Sequence, residues 1–233
     1  MNVDFARRHV VVTGATGDLG EAVARLLLDA GATLHLPVRD LAKARALYDE
    51  AGERARVERV GDLGDEASVR AFYEGLPTLW ASVHCAGGFA ASRIDDTSLA
   101  DLRRMLDMNA VSAFLCSREA VRAMRGRGGR IVNVAAQSGV EPRRGSGLAA
   151  YAASKAAVAA ITLALAEEVA AEGIWVNAVV PSIMDTEANR KAMPKADTAK
   201  WPKLAEVAMT IAFLASPQNA STRAALVPVY GKT

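Results

Sequence analysis

Apolar, β-branched runs alternate with alanine- and leucine-rich stretches of helical period along the whole chain. His9–Thr13 reads as a strand, and Leu19–Ala30 as a helix carrying Ala22, Val23, Leu26 and Leu27 on one face. Thr33–Val38 is a second strand, followed by a helix over Leu41–Ala51. The same pattern predicts strands at Arg56–Gly61, Ser82–Cys85, Gly129–Val134, Ile174–Val179 and Ala225–Val229. The longest helices are predicted at 97–125 and 149–172. Strands that alternate with helices imply right-handed crossovers, a parallel sheet, and ligands held at the carboxyl ends of the strands. Two stretches, near 139–148 and 185–203, read as long irregular loops, and long loops in a compact domain are often functional.

Composition sharpens this picture. The 233 residues suffice for one α/β domain over 1–233 and are too few to favour two. Hydrophobic residues make up 51% and aromatics only 5%, so Ala, Val and Leu must fill the interior, as in a parallel sheet covered on both faces. A net charge of +2, from 28 basic and 26 acidic residues mixed along the chain, argues against nucleic acid or an anionic membrane as partner. No apolar run is expected to approach the length needed to span a bilayer and the N-terminus shows no secretory core, so a cytoplasmic protein is expected. Cys85 and Cys116 have neither metal-ligand nor CxxC spacing; they are expected to be free thiols in a reducing compartment, and no metal site is predicted.

Thr13-Gly14-Ala15-Thr16-Gly17-Asp18-Leu19-Gly20 joins the first strand to the first helix. Gly14 suits the tight turn, Gly17 lets the backbone approach a pyrophosphate, and Gly20 lets the helix pack against the sheet. The helix N-terminus offers unpaired N–H groups and its positive dipole end to phosphates. Where the second strand ends, Val38 stands in the place of an acid that would bind a ribose 2′-hydroxyl. Arg39 follows it, and a guanidinium there can pair with a 2′-phosphate, which points to NADP(H) rather than NAD(H). Asp62-Leu63 follows the third strand, where a carboxylate can accept from an adenine amino group; capping of a helix over 65–74 is its competing role.

Tyr151-Ala152-Ala153-Ser154-Lys155 puts a phenol and an ammonium on one face of a helix. A phenol with its ordinary pKa of about 10 is a poor base near neutrality, and a nearby cation favours phenolate. Tyr151 so placed can act as an acid when a carbonyl is reduced, or as a base when an alcohol is oxidised.

Together these residues resemble the short-chain dehydrogenase/reductase family over essentially the whole chain. The resemblance also rests on Asp62, Cys85-Ala86-Gly87, Asn109 within Met108-Asn109-Ala110, Gly129-Arg130-Ile131-Val132-Asn133-Val134, and Val176-Asn177-Ala178-Val179-Val180-Pro181 followed by Thr186. It implies a Rossmann fold with a doubly wound, seven-stranded parallel sheet. It implies that Gly14, Thr16, Gly17, Asp18, Leu19, Gly20, Arg39, Asp62, Leu63, Ala86 and Gly87 line the dinucleotide. Asn109 would hold a proton-relay water near the lysine. Lys155 would bond the nicotinamide ribose and lower the Tyr151 pKa, and Pro181, Ile183 and Thr186 would lie at the nicotinamide. A homodimer or homotetramer paired through the two long helices is likewise implied.

Departures from the family pattern carry information too. Asp18 stands where the usual middle glycine lies, with Gly17 taking over. His84 replaces a structural asparagine and reads as a strand residue rather than a catalyst. Ala136 occupies the place of the usual catalytic serine. The dihydropteridine-reductase-like branch is similar in Ala86-Gly87-Gly88, in lacking that serine, and in a lid bearing Asp185-Thr186, Asn189-Arg190-Lys191, Met193-Pro194, Ala196-Asp197 and Trp201. That branch has no counterpart of Glu141-Pro142-Arg143-Arg144, and it favours NADH where Arg39 suggests NADPH.

The expected activity is hydride transfer between nicotinamide and a small carbonyl, quinonoid or pteridine-like molecule, with Tyr151 as acid or base and residues 185–203 as a lid that orders on binding. Two other readings stay open: a 3-oxoacyl-thioester or ketone reductase in which Ser138 or Ser146 replaces the serine, and a dinucleotide-binding sensor without chemistry. Intact Asn109, Tyr151 and Lys155 argue against the sensor.

Overall fold

A computed structural model describes residues 3–233. Seven strands, β1 (His9–Thr13), β2 (Thr33–Val38), β3 (Ala55–Arg59), β4 (Leu79–His84), β5 (Gly129–Val134), β6 (Ile174–Pro181) and β7 (Leu226–Val229), form one sheet in the order β3-β2-β1-β4-β5-β6-β7. Every pairing is parallel. The order reverses between β1 and β4, and that switch point is where an open α/β sheet leaves a crevice for a ligand.

Both faces are covered, which is why the strands read as unbroken apolar runs. Val10 and Val12 of β1 pack with Val23 and Leu27 of helix α1 (Asp18–Asp29), with Ala44 of α2 (Leu41–Tyr48), and with Val207 and Ile211 of the late helix Leu204–Ala215. Val11 points the other way, into Phe72 of α3 (Glu66–Glu74), Leu115 and Met124 of the helix Ser112–Met124, and Ala166 of the helix Ala149–Glu168.

The long helix expected over 97–125 is interrupted. It divides into α4 (Leu99–Met105), a wide π turn over Leu106–Val111, and α5 (Ser112–Met124). Side chains cause the widening: Asn109 Nδ2 donates to the Met105 carbonyl at 3.1 Å, and Ser112 Oγ to the Met108 carbonyl at 2.8 Å, where backbone N–H groups of a regular helix would bond. Three other boundaries differ from expectation by three residues or more. The helix begun at Leu41 ends at Tyr48, ahead of a turn at Gly52 with φ of 56°. The one begun at 149 ends at Glu168. Strand β4 starts at Leu79, three residues before Ser82.

Neither expected loop is irregular throughout. After the short helix α6 (Gln137–Val140) and a 3₁₀ turn at Pro142–Arg144 comes α7 (Ala149–Glu168). The segment 185–203 contains α8 (Glu187–Ala192) and a 3₁₀ turn at Thr198–Lys200 before α9 (Leu204–Ala215). By length and composition α7 is apolar enough to cross a membrane, contrary to the expectation that no run is. Alanine makes it so, and its buried face, including Val158, Ala159, Thr162 and Ala166, packs inside the fold.

Candidate active site

The crevice at the switch point opens from the turn between β1 and α1. Gly14 has φ of 69°, and a Cβ there would stand 2.6 Å from the Ala86 nitrogen at the end of β4. A Cβ on Gly20 would fall 2.1 Å from the Gly14 carbonyl oxygen, so Gly20 packs against the turn itself rather than the sheet. Two bonds brace the turn from behind: the Tyr48 hydroxyl donates to the Ala15 carbonyl at 2.6 Å, and the Ala86 N–H to Thr13 Oγ1 at 3.1 Å. Helix α1 starts with Gly17 as its cap and no side chain satisfying its first N–H groups, the arrangement that suits a phosphate. A Cβ on Gly17 would meet only the Gly14 carbonyl oxygen, at 3.5 Å, so its backbone faces open space.

From this turn a cleft of about 350 Å³ runs past the ends of β2, β3 and β4. Of the residues expected at a dinucleotide, Gly14, Thr16, Gly17, Arg39, Asp62, Leu63, Ala86 and Gly87 line it. Asp18 begins α1, while Leu19 and Gly20 are buried behind the turn. Asp62 accepts from the Gly64 N–H at 2.8 Å through one oxygen; Asp65, not Asp62, caps α3 by accepting from Ser68. Sequence reasoning missed Lys43, which lines the cleft near Arg39. Its position in the first turn of α2, four residues after Arg39, was the available signal.

Farther along, three expected residues converge. Asn109 is buried, and its side chain grips Gly88 at both ends: Oδ1 accepts from the Gly88 N–H at 3.1 Å and Nδ2 donates to the Gly88 carbonyl at 3.0 Å. Nδ2 also reaches Ser154 Oγ of α7 at 3.1 Å. A Cβ on Gly87 would come within 2.6 Å of Asn109 Oδ1 and 3.4 Å of Lys155 Nζ, so glycine at 87 lets the cleft wall pack directly on both buried groups. Lys155 is buried and donates to the Val134 carbonyl at 2.8 Å; burial draws its ammonium down to about 8.

Tyr151 corrects one expectation. Its phenol is pushed up to about 12 by burial, not lowered. The Lys155 ammonium is engaged with the Val134 carbonyl, and loss of water around the phenol sets its shift. Against the Tyr151 ring stands Phe89, edge-on at 4.9 Å between centroids and 66% exposed, a neighbour that no sequence spacing revealed.

Ala136 caps α6 where β5 ends, and Ser138 follows, buried in that helix. Gly139 lies so close to Lys155 that a Cβ would meet its carbonyl carbon at 2.7 Å, which sets α6 directly on the lysine's turn of α7. Among the described residues Ser138 makes no side-chain hydrogen bond, and Ser146 is exposed in the loop beyond. Pro181 is buried at the end of β6, Ile183 is exposed, and Thr186 caps α8 by accepting from the Asn189 N–H at 3.1 Å.

His84 is a strand residue away from the cleft. Its ring bonds Ser82 Oγ and Asn133 Oδ1, both at 2.8 Å, and burial lowers it to about 4, which keeps the imidazole neutral. Cys85 and Cys116 are free, and burial raises each thiol to about 12.

Comparison with known proteins bears on the family and the fold. Residues 8–197 match the family model described as short chain dehydrogenase. A cis-4-hydroxycyclohexanecarboxylate dehydrogenase of Sinomonas cyclohexanicum is 36% identical over 250 aligned positions, covering 99% of this chain and 98% of that one. A 3-oxoacyl-(acyl-carrier-protein) reductase of Rickettsia felis is 30% identical, over 93% of this chain and 92% of the other. Among solved structures, a dehydrogenase/reductase from Sinorhizobium meliloti superposes with a TM-score of 0.87 at 27% identity, over 99% of this chain and 96% of that one. A short-chain type dehydrogenase/reductase from Mycobacterium ulcerans shares the fold, with a TM-score of 0.91 at 24% identity over 99% and 90% of the two chains.

Proposed function

The chain belongs to the short-chain dehydrogenase/reductase family, and from that premise we propose that it is an NADP(H)-preferring reductase of small cyclic carbonyl or quinonoid compounds, with Tyr151 as the proton donor. The observation that carries this reading is that Asn109 and Lys155 pack beside Gly87, which lines the cleft that begins at the Gly14 turn.

The turn fits a dinucleotide, because the space beside Gly17 is open and the first N–H groups of α1 are without side-chain caps. Gly14, Thr16 and Gly17 would hold its pyrophosphate, Asp62 and Leu63 its adenine, and Pro181, Ile183 and Thr186 its nicotinamide end. The bound nicotinamide would supply or accept the hydride. An ammonium has three N–H donors, and Lys155 spends one on Val134, which leaves two for ribose hydroxyls. Tyr151, held protonated by burial, suits donation to a substrate oxygen that gains negative charge. Asn109 fixes the Gly87–Gly88 backbone on one side and Ser154 on the other, and so sets the floor of this site.

Cofactor preference should follow Arg39 and Lys43. A charge-assisted contact to a 2′-phosphate contributes about 1.5–3 kcal/mol, so NADPH should bind at least about tenfold tighter than NADH. Val38→Asp with Arg39→Ala should reverse the order in a fluorescence titration of both cofactors. Equal affinities in the unaltered chain would show that these cations merely face solvent.

Substrate class turns on Ala136, which cannot donate the second hydrogen bond that a ketone oxygen usually receives. An electron-poor ring spreads the incoming charge over several heteroatoms and needs one donor less. Three features favour such a ring: Ala136, the exposed Phe89 beside the phenol, and the dihydropteridine-reductase-like lid. A relative named for a cyclohexane carboxylate agrees with a cyclic substrate. The second reading, an acyl-thioester or ketone reductase, rests on Ser138, buried two residues from Ala136 with an uncommitted hydroxyl.

Steady-state rates with Ser138→Ala separate the two readings. On the preferred one this change is nearly silent and Ala136→Ser widens activity towards simple ketones. A loss of about 10²-fold in turnover with cofactor binding intact would instead make Ser138 the missing donor. Self-association through the exposed faces of α5 and α7, where Phe114 and Leu163 lie open, belongs to the same proposal.

A further inference from the structure

The segment that follows β6 starts at Ser182, at the carboxyl end of that strand, and leads into α9, which packs back on the sheet. Its two legs meet at a single carboxylate. Asp185 Oδ1 accepts from Arg190 Nε at 2.6 Å, and Oδ2 accepts from Arg190 Nη2 at 2.9 Å and from Lys203 Nζ at 2.5 Å. Lys203 is 18 residues farther along the chain, at the cap of α9. The Asp185 side chain is only 5% exposed, while those of Arg190 and Lys203 are 57% and 52% exposed. An acid is thus enclosed by the outgoing leg, the lid helix α8 and the returning leg at once.

Backbone bonds repeat the connection. The Asp185 N–H donates to the Pro202 carbonyl at 3.0 Å, and Asp185 pairs with Lys203 as an isolated parallel bridge. Beside it, Asn189 Nδ2 donates to the Met184 carbonyl at 2.8 Å and turns α8 back on its own root. The C-terminus seals the returning leg: the Lys232 N–H donates to the Lys200 carbonyl at 2.8 Å, and Trp201 is buried. A segment expected to be loose is therefore tied at its base and along α8.

We propose that Asp185 is a positioning residue for cofactor binding, a clasp that fixes the base of this segment and thereby sets Ile183 and Thr186 against the nicotinamide end of the cofactor. The proposal rests on the reading that Pro181–Thr186 borders that end. Asp185 sits between Ile183 and Thr186 in sequence, so any shift of the clasp moves both. A carboxylate with two cations, one of them bidentate, is a stiff joint; without it both cations are already solvated and no buried charge is stranded. The fold should accordingly survive its removal while the segment loosens.

Amide hydrogen exchange on the full chain without cofactor tests the clasp alone. In Asp185→Asn, exchange across 186–200 should quicken by about tenfold or more, with β5 and α7 unchanged. NADPH should then bind about tenfold more weakly, while turnover at saturation stays within about twofold. Asp185→Glu should restore much of the binding. Arg190→Met and Lys203→Met, each leaving one partner, should give intermediate exchange and serve if Asp185→Asn does not fold. Unchanged exchange across 186–200 in these variants would overturn the clasp, and faster exchange with unaltered NADPH affinity would overturn its positioning role. Failure of the unaltered chain to bind NADPH would instead remove the proposed function, and the same titration reads that separately.

Discussion

Tyr151→Phe should lower turnover by about 10²-fold or more while folding and NADPH affinity persist. The substitution removes one hydroxyl and keeps the ring, so the edge-on contact with Phe89 remains. Burial holds the phenol near 12, and it therefore stays protonated across the neutral range. Reduction, which needs a proton delivered, should be the faster direction at neutral pH. Oxidation of an alcohol needs the phenolate and should quicken as pH rises. Stopped-flow measurement of NADPH consumption in the variant and the unaltered chain checks the first statement. Full activity in Tyr151→Phe with any substrate that turns over would remove the phenol from the mechanism for that substrate.

A comparable loss is expected from Lys155→Met, but it should have two parts, because one ammonium serves both cofactor and phenol. Turnover should fall by about 10²-fold, and NADPH affinity by about tenfold, the share of one hydrogen bond to a charged group. A pH signature accompanies this. Burial has drawn Lys155 down to about 8, so its charge is present below that pH and lost above it. NADPH binding should weaken as pH rises through that value in the unaltered chain, and Lys155→Met should bind weakly at every pH. Calorimetric titration at several pH values provides the check; an affinity that is flat from neutral to alkaline pH in the unaltered chain would dissociate Lys155 from the ribose.

Much of the fold was legible in the sequence. Parallel strands buried on both faces write themselves as β-branched runs such as Val10–Val12 and Ile131–Val134, and glycines that must meet backbone stand out at Gly14 and Gly20. Side chains that replace backbone bonds were not legible. Asn109 and Ser112 widen a helix at 106–111 whose sequence looks continuous, and nothing in its periodicity announces this. The Tyr151–Lys155 spacing did not say where the ammonium points, which is to the Val134 carbonyl, nor that burial would raise the phenol. Phe89 reaches Tyr151 across 62 positions in sequence, on a loop whose course is set by Asn109 gripping Gly88. Residues 185–203 read as loose because their apolar anchors are few, while the contacts that order them, Asp185 with Lys203 and Lys200 with Lys232, are polar and distant in sequence.

The central claim is that this cleft carries out hydride transfer and does not merely bind a dinucleotide. The most direct measurement follows NADPH absorbance with the purified chain and a panel of quinonoid pterins, quinones, cyclic ketones and an acyl thioester. Oxidation of one NADPH per molecule of an electron-poor cyclic substrate reduced is expected, abolished in Tyr151→Phe, with little or no turnover of the thioester. Tight NADPH binding without consumption by any member of the panel would contradict it and leave a sensor in place of an enzyme.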